Sequence, residues 1–136
     1  MAEAVFRRHT EEAGLLDRIE VASAGTGRWH LGEPPHPGTL DELRKRSMHL
    51  PDKRAQHVSD FDLDLIDYIV PMDESNRRAL ATEAPLLLEY AGSPMGVAEV
   101  PDPFYEGGFD NVYRLIEAGS AGLLQRIIDD YDLAAG

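Results

Sequence analysis

The residue most suggestive of chemistry is an aspartate between two prolines, Pro101-Asp102-Pro103. The prolines restrict the backbone on either side of it. By composition alone, Asp102 is most often just a loop aspartate in a Pro-Asp-Pro turn; only its place among ordered motifs raises it to a candidate general acid or base. Phe104 and Tyr105 follow it, and Trp29 stands in a second, glycine-containing loop. Such rings offer a wall for an aromatic group; an exposed hydrophobic plug or a partner contact is the alternative for each, and core packing for one of Phe104 and Tyr105. Ser23, in Ser23-Ala24-Gly25-Thr26-Gly27, is most simply a turn residue, and Asp73 is most simply an N-cap. The five histidines are scattered, with no pair at His-x3-His spacing, so no metal site is read, and no cofactor is called for. Arg44-Lys45-Arg46 reads as a solvated helix face rather than an anion site. The chain has no cysteine. That excludes disulfides, thiolate-ligated metals and a thiolate nucleophile.

These residues depend on the elements that position them. Residues 1–13 read as a helix, with Val5, Phe6, His9 and Ala13 at helical spacing and Gly14 as a left-handed cap before Leu15. Its first turn follows no Ser, Thr, Asp or Asn cap. Residues 19–24 read as a strand that leaves into the Ser23 loop. Pro37 opens a second helix carrying Leu40, Leu43, Ser47 and Met48 on one face. A short extended piece over 54–58 and one helical turn over 59–63 come next. Residues 68–72 read as a buried strand, 74–84 as a helix capped by Asp73, and 86–90 as a third strand. A long loop over 91–108 holds Asp102. The last helix has the clearest stripe: Phe109, Val112, Tyr113, Ile116, Ser120, Leu123, Leu124 and Ile127, running to about residue 129 before a frayed end.

Strands alternating with helices predict an α/β domain, a doubly wound parallel sheet flanked by helices, over residues 1–136. Ligands of such sheets sit beyond the carboxyl ends of the strands. The loops 23–32, 71–76 and 91–108 are therefore expected to wall one site. The alternation also calls for a strand before the first helix, so the first strand of the sheet is expected to be missing. A length of 136 residues fits one domain, and 43% hydrophobic with 28% charged residues is ordinary globular composition. The net charge of −12 opposes nucleic acid and anionic membranes as partners. No apolar run approaches a membrane span and no signal segment is visible, which points to the cytoplasm. A homo-oligomer is a state the sequence allows.

Four short motifs, in order, then carry a resemblance. Met1-Ala2-Glu3-Ala4-Val5-Phe6 resembles the first helix of the low-molecular-weight protein tyrosine phosphatases. Ser23-Ala24-Gly25-Thr26 with Trp29-His30 and Gly32-Glu33-Pro34 resembles their second loop. Met72-Asp73-Glu74-Ser75-Asn76 resembles their third strand exit, and Asp102-Pro103-Phe104-Tyr105 their general-acid loop. The resemblance runs to about Ile128. It implies a phosphate monoester hydrolase acting on a phosphotyrosine protein or a small aryl phosphate. A cysteine of a Cys-x5-Arg-Ser-Pro loop would be the nucleophile, Asp102 the acid and then the base, and Trp29, Phe104 and Tyr105 the substrate-binding rings. Ser23 and Asp73 would be supporting residues. That loop and the strand before it are not in this sequence, so the chain is expected to be an N-terminally shortened member without catalysis. The alternative is a non-catalytic binding or regulatory member. An arsenate reductase of the same fold needs several cysteines and is excluded. Lys53-Arg54-Ala55-Gln56-His57 departs from the family's frequent His-x-Ala-Arg, and Pro71 is less typical.

Overall fold

The computed structural model describes residues 1–26, 32, 37–48, 56–91, 97–101 and 108–133. Four α-helices order them: α1 (Ala2–Glu12), α2 (Pro37–Lys45), α3 (Glu74–Ala79) and α4 (Gly108–Tyr131). Short 3-10 turns occupy Val58–Asp60, Leu63–Leu65 and Leu87–Ala91.

All four helices close in the same manner. Beyond α1, Leu15 N–H donates to Thr10 O at 3.0 Å and Gly14 N–H to Glu11 O at 2.9 Å. Met48 N–H returns to Leu43 O, Thr82 N–H to Arg77 O and Leu133 N–H to Ile128 O after α2, α3 and α4. Each bond spans five residues and closes over one residue at positive φ: Gly14 (72°), Ser47 (57°), Ala81 (50°) and Asp132 (52°). Only the first is a glycine, and only that cap is plain in the sequence. Consequently α3 is shorter than its pattern predicts, ending at Ala79 rather than continuing to 84. Likewise α2 ends at Lys45, so Ser47 and Met48 lie in its cap instead of its face, although Met48 still packs against the core.

The core forms where α1, α2, the Leu87–Ala91 turn and α4 meet. Val5, Leu15, Leu43, Leu87, Val112, Tyr113, Ile116, Leu123, Leu124 and Ile127 belong to one buried cluster. Leu15, the residue after the α1 cap, is 1% exposed; burying such a side chain contributes about 1.5–3 kcal/mol. The α4 stripe matches its periodicity, with Leu115 and Gly119 also inside. Gly119 and Gly122 let the Leu87–Ala91 turn lie directly on α4, since a Cβ on Gly122 would overlap the Tyr90 carbonyl oxygen. Gly38 accommodates the Phe109 ring in a comparable way.

The expected strands fare differently. Residues 86–90 are not a strand. Glu89 Oε2 accepts the Leu86 N–H at 2.5 Å, the reach of a third-position glutamate back to a helix cap, and this bond winds the segment into a 3-10 turn. Residues 19–24 and 68–72 place Ile19, Val21, Tyr68, Val70 and Met72 against the core, as strands would. Among the described residues no ladder forms along them, because residues 20–24 and 67–70 make no backbone–backbone bond to another described residue, and a strand is defined by a lateral partner. The doubly wound parallel sheet is thus not assembled among the described residues. Their β pairing is one parallel bridge, Gly25 with His57, built by Gly25 N–H to Gln56 O at 2.8 Å and Val58 N–H to Gly25 O at 3.0 Å.

Candidate functional site

The described parts of the three expected loops are tied to one another. The first is held to α1. Ser23 Oγ donates to Glu3 Oε1 at 2.8 Å, while Arg7 Nη2 donates to Glu3 Oε2 at 3.2 Å and to Val21 O at 3.0 Å. The Glu3 side chain is only 8% exposed. A carboxylate that far from water requires such donors, so Ser23 and Arg7 both stabilise its charged form.

The second loop joins the first through Asn76. Its Nδ2 donates to Thr26 Oγ1 at 3.4 Å, and its Oδ1 accepts the Met72 N–H at 3.3 Å. Asp73 Oδ1 accepts the Asn76 N–H at 2.7 Å, which caps α3 and orients Asn76. His57 supports the same corner. Its Nδ1 accepts the Ser59 N–H at 3.1 Å, which leaves the ring proton on Nε2 to donate to Thr26 O at 3.3 Å. The third loop is attached at residues 99 and 100. Val100 N–H donates to Met72 O at 3.0 Å, and Glu99 Oε2 accepts the Glu74 N–H at 2.7 Å.

Of the residues expected at the site, Ser23 and Asp73 therefore sit at this junction in connecting roles, one on Glu3 and one on α3. Trp29, Asp102, Phe104 and Tyr105 lie outside the described residues. The sequence reading did not single out Glu3, His57, Asn76 or Glu99 as connectors. Asn76 and Glu3 stand within recognisable motifs, but a side chain that bridges two loops has no spacing signature. In the basic cluster, Arg44 and Lys45 side chains are each 73% exposed, as a solvated face predicts. Arg46 differs: it lies 3.8 Å from the centroid of the Tyr113 ring and pairs with Asp110 at 2.7 Å and Glu42 at 3.0 Å.

A shallow cleft of about 350 Å³ runs along Arg7 and residues 16–21. It shares Arg7 and Val21 with the Glu3 contact and includes none of Thr26, Asn76 and Met72, and its open, mixed-charge lining gives it no catalytic assignment. Among the described residues no group of three or more His, Cys, Asp or Glu is placed to hold a metal ion. Among them, too, no helix is long and apolar enough to cross a membrane.

Comparison with known proteins places this arrangement. The family model described as "Low molecular weight phosphotyrosine protein phosphatase" matches residues 1–132. The chain is 41% identical over 135 residues to the low molecular weight protein-tyrosine-phosphatase YfkJ of Bacillus subtilis, covering 93% of this chain and 86% of that protein. It is 39% identical over 141 residues to PtpA of Staphylococcus epidermidis, covering 98% and 88%. The crystal structure of YfkJ superposes with a TM-score of 0.88 at 39% identity, over 95% of this chain and 86% of that one. A protein tyrosine phosphatase from Entamoeba histolytica superposes with a TM-score of 0.84 at 25% identity, over 97% and 89%. The neighbours share an α/β fold.

Proposed function

Because the chain belongs to the low molecular weight phosphotyrosine protein phosphatases, we propose that its scaffold serves phosphotyrosine-type phosphate monoesters, and that the 136 residues by themselves do not turn such a substrate over. One observation carries the second half: the sequence contains no cysteine. A cysteinyl-phosphate route needs a thiolate to attack phosphorus and arginine and backbone donors to hold the phosphoryl oxygens. No Cys-x5-Arg segment is present to supply them.

The remaining roles follow the motif positions. Asp102 gives its proton to the departing phenolate and afterwards takes one from the attacking water. Trp29, Phe104 and Tyr105 flank the aryl ring of a phosphotyrosine protein or a small aryl phosphate. Ser23 and Asp73 support the site through Glu3 and α3. An acid of this kind is worth about 10²–10⁴-fold, whereas enzymes accelerate phosphate monoester hydrolysis by up to ~10²¹-fold. Asp102 without a nucleophile falls far short. The same observation favours a second reading, a non-catalytic member that binds a phosphorylated ligand or a partner. A cytoplasmic setting fits either reading, and a homo-oligomer is compatible with both.

Turnover of two esters tests the proposal. The chain as it stands should hydrolyse neither phosphotyrosine nor an activated aryl phosphate. Joined to a strand and a Cys-x5-Arg-Ser-Pro loop, it should hydrolyse both. In that extended protein Asp102→Asn should slow phosphotyrosine hydrolysis by about 10²–10⁴-fold and the activated ester less, because an activated phenolate needs little protonation. Equal losses would make Asp102 structural. Hydrolysis by the unextended chain would overturn the proposal. Calorimetric binding of phosphotyrosine by the unextended chain, without turnover, would favour the second reading.

A further inference from the structure

Residues 59–67 read Ser-Asp-Phe-Asp-Leu-Asp-Leu-Ile-Asp, aspartates interleaved with large apolar residues. Local bonds hold this segment in two consecutive turns. Asp60 Oδ2 accepts the His57 N–H at 3.1 Å, Asp62 Oδ1 accepts the Asp64 N–H at 3.1 Å, and Leu65 N–H donates to Asp62 O at 3.0 Å. Phe61 and Leu63 are half-buried, so the segment does turn apolar groups inward. Leu65 is nevertheless held outward at 80% exposure, with Ile66 beside it at 37%. Single exposed leucines are ordinary. Two adjacent apolar residues on a hydrogen-bonded turn form a fixed apolar knob.

Along the chain, the neighbours of the knob have one sign. Asp60, Asp62, Asp64 and Asp67 flank it, and no lysine or arginine occurs from residue 56 to residue 76. Each helix, by contrast, carries at least one ion pair between its own residues, such as Arg7–Glu3, Lys45–Glu42, Arg77–Glu74 and Arg126–Asp130. None of the four aspartates pairs with a cation among the described residues.

We infer that residues 59–67 form a docking surface for a protein segment in which an apolar residue is flanked by arginine or lysine. Charge complementarity selects this occupant. A second copy of the chain, itself at −12, brings the wrong sign, and so do anionic lipid and nucleic acid. The surface adjoins the His57–Thr26 contact and so lies beside the three-loop junction. It stands independently of the phosphatase reading.

The full chain can be titrated calorimetrically with a short synthetic peptide alternating arginine and leucine, and the contact mapped by amide chemical shifts. Binding should perturb residues 59–67 and weaken with added salt. Leu65→Ser should weaken it at least about tenfold, the worth of one buried leucine, without altering the fold, since Leu65 is 80% exposed. Asp64→Asn with Asp67→Asn should weaken it and flatten its salt dependence; Asp60 and Asp62 are kept because they cap the turns. Equal binding of a peptide alternating arginine and serine would overturn the inference. So would an unchanged affinity of Leu65→Ser, or shifts confined to other residues.

Discussion

Asn76 shows how much one side chain can organise. Its amide holds Thr26 of one loop and Met72 of another, while Asp73 fixes its own backbone. A second pairing of this kind joins residue 68 to α4. Tyr68 donates its hydroxyl hydrogen to Asp130 Oδ2 at 2.5 Å and meets Tyr131 edge to face at 6.2 Å between centroids. Burial, and then the bond to Asp130, push the Tyr68 phenol up to about 12, and the same bond holds the Asp130 carboxyl below its ordinary range. The folded state thus favours neutral Tyr68. Its contribution to stability is complete below the ordinary tyrosine value near 10 and is lost as pH rises from there through about 12. For Asp130 the contribution holds above the ordinary carboxylate range and fades as pH falls through and below it. A phenolate absorbance titration checks this. Asp130→Asn should bring the highest-titrating tyrosine down, and Tyr68→Phe should remove that step altogether. A highest step that stays put in Asp130→Asn would assign the shift to burial alone.

At the level of elements, helix ends and helix faces were not equally readable. Gly14 announces the end of α1, because glycine is at ease at positive φ. Ser47, Ala81 and Asp132 occupy the same conformation without that signal, and for this reason the ends of α2 and α3 fall short of their patterns. The faces of α4 read well, since periodic burial and periodic sequence are one fact seen twice. What the pattern of α4 leaves out is why residues 118–122, Ala-Gly-Ser-Ala-Gly, are small. The structure answers with the Leu87–Ala91 turn lying against Gly119 and Gly122. Alanine normally favours a helix over glycine by about 1 kcal/mol, but at Gly122 its Cβ would overlap the Tyr90 carbonyl oxygen, a backbone atom that cannot rotate away. Gly122→Ala should therefore destabilise the chain by about 2 kcal/mol or more. Chemical denaturation compares it with Ala121→Gly, an exposed site in the same turn, where the helix preference alone should show a loss near 1 kcal/mol. A Gly122→Ala protein more stable than its parent would mean that the turn can lift from α4 freely.

Over the whole molecule, the charge of −12 is the dominant long-range term. Ion pairs between neighbours in the helices, such as Arg8–Glu12 and Arg114–Asp110, are exposed and each contributes little. Self-repulsion of the excess carboxylates remains and destabilises the compact state. Raising sodium chloride from about 0.01 M to 0.15 M shortens the screening length from roughly 30 Å to 8 Å. The thermal midpoint should rise accordingly, whereas surface pairs acting alone would make it fall. A midpoint that drops over this interval in a calorimetric scan would show attraction, not repulsion, to be in control.

The sequence alone determined the family through four ordered motifs, the α4 stripe through its period, the Gly14 and Asp73 caps through residue type, and the absence of a thiolate through composition. These are local or additive properties, and a linear reading reaches them. Only the tertiary structure decided that residues 86–90 wind into a turn, that residues 19–24 and 68–72 lie on the core without a ladder between them, and that Glu3, His57, Asn76 and Glu99 join three loops. Each of those outcomes depends on which donor meets which acceptor across many residues of chain. Backbone pairing and side-chain bridges are settled by that encounter, and the spacing of residues along a sequence does not record it.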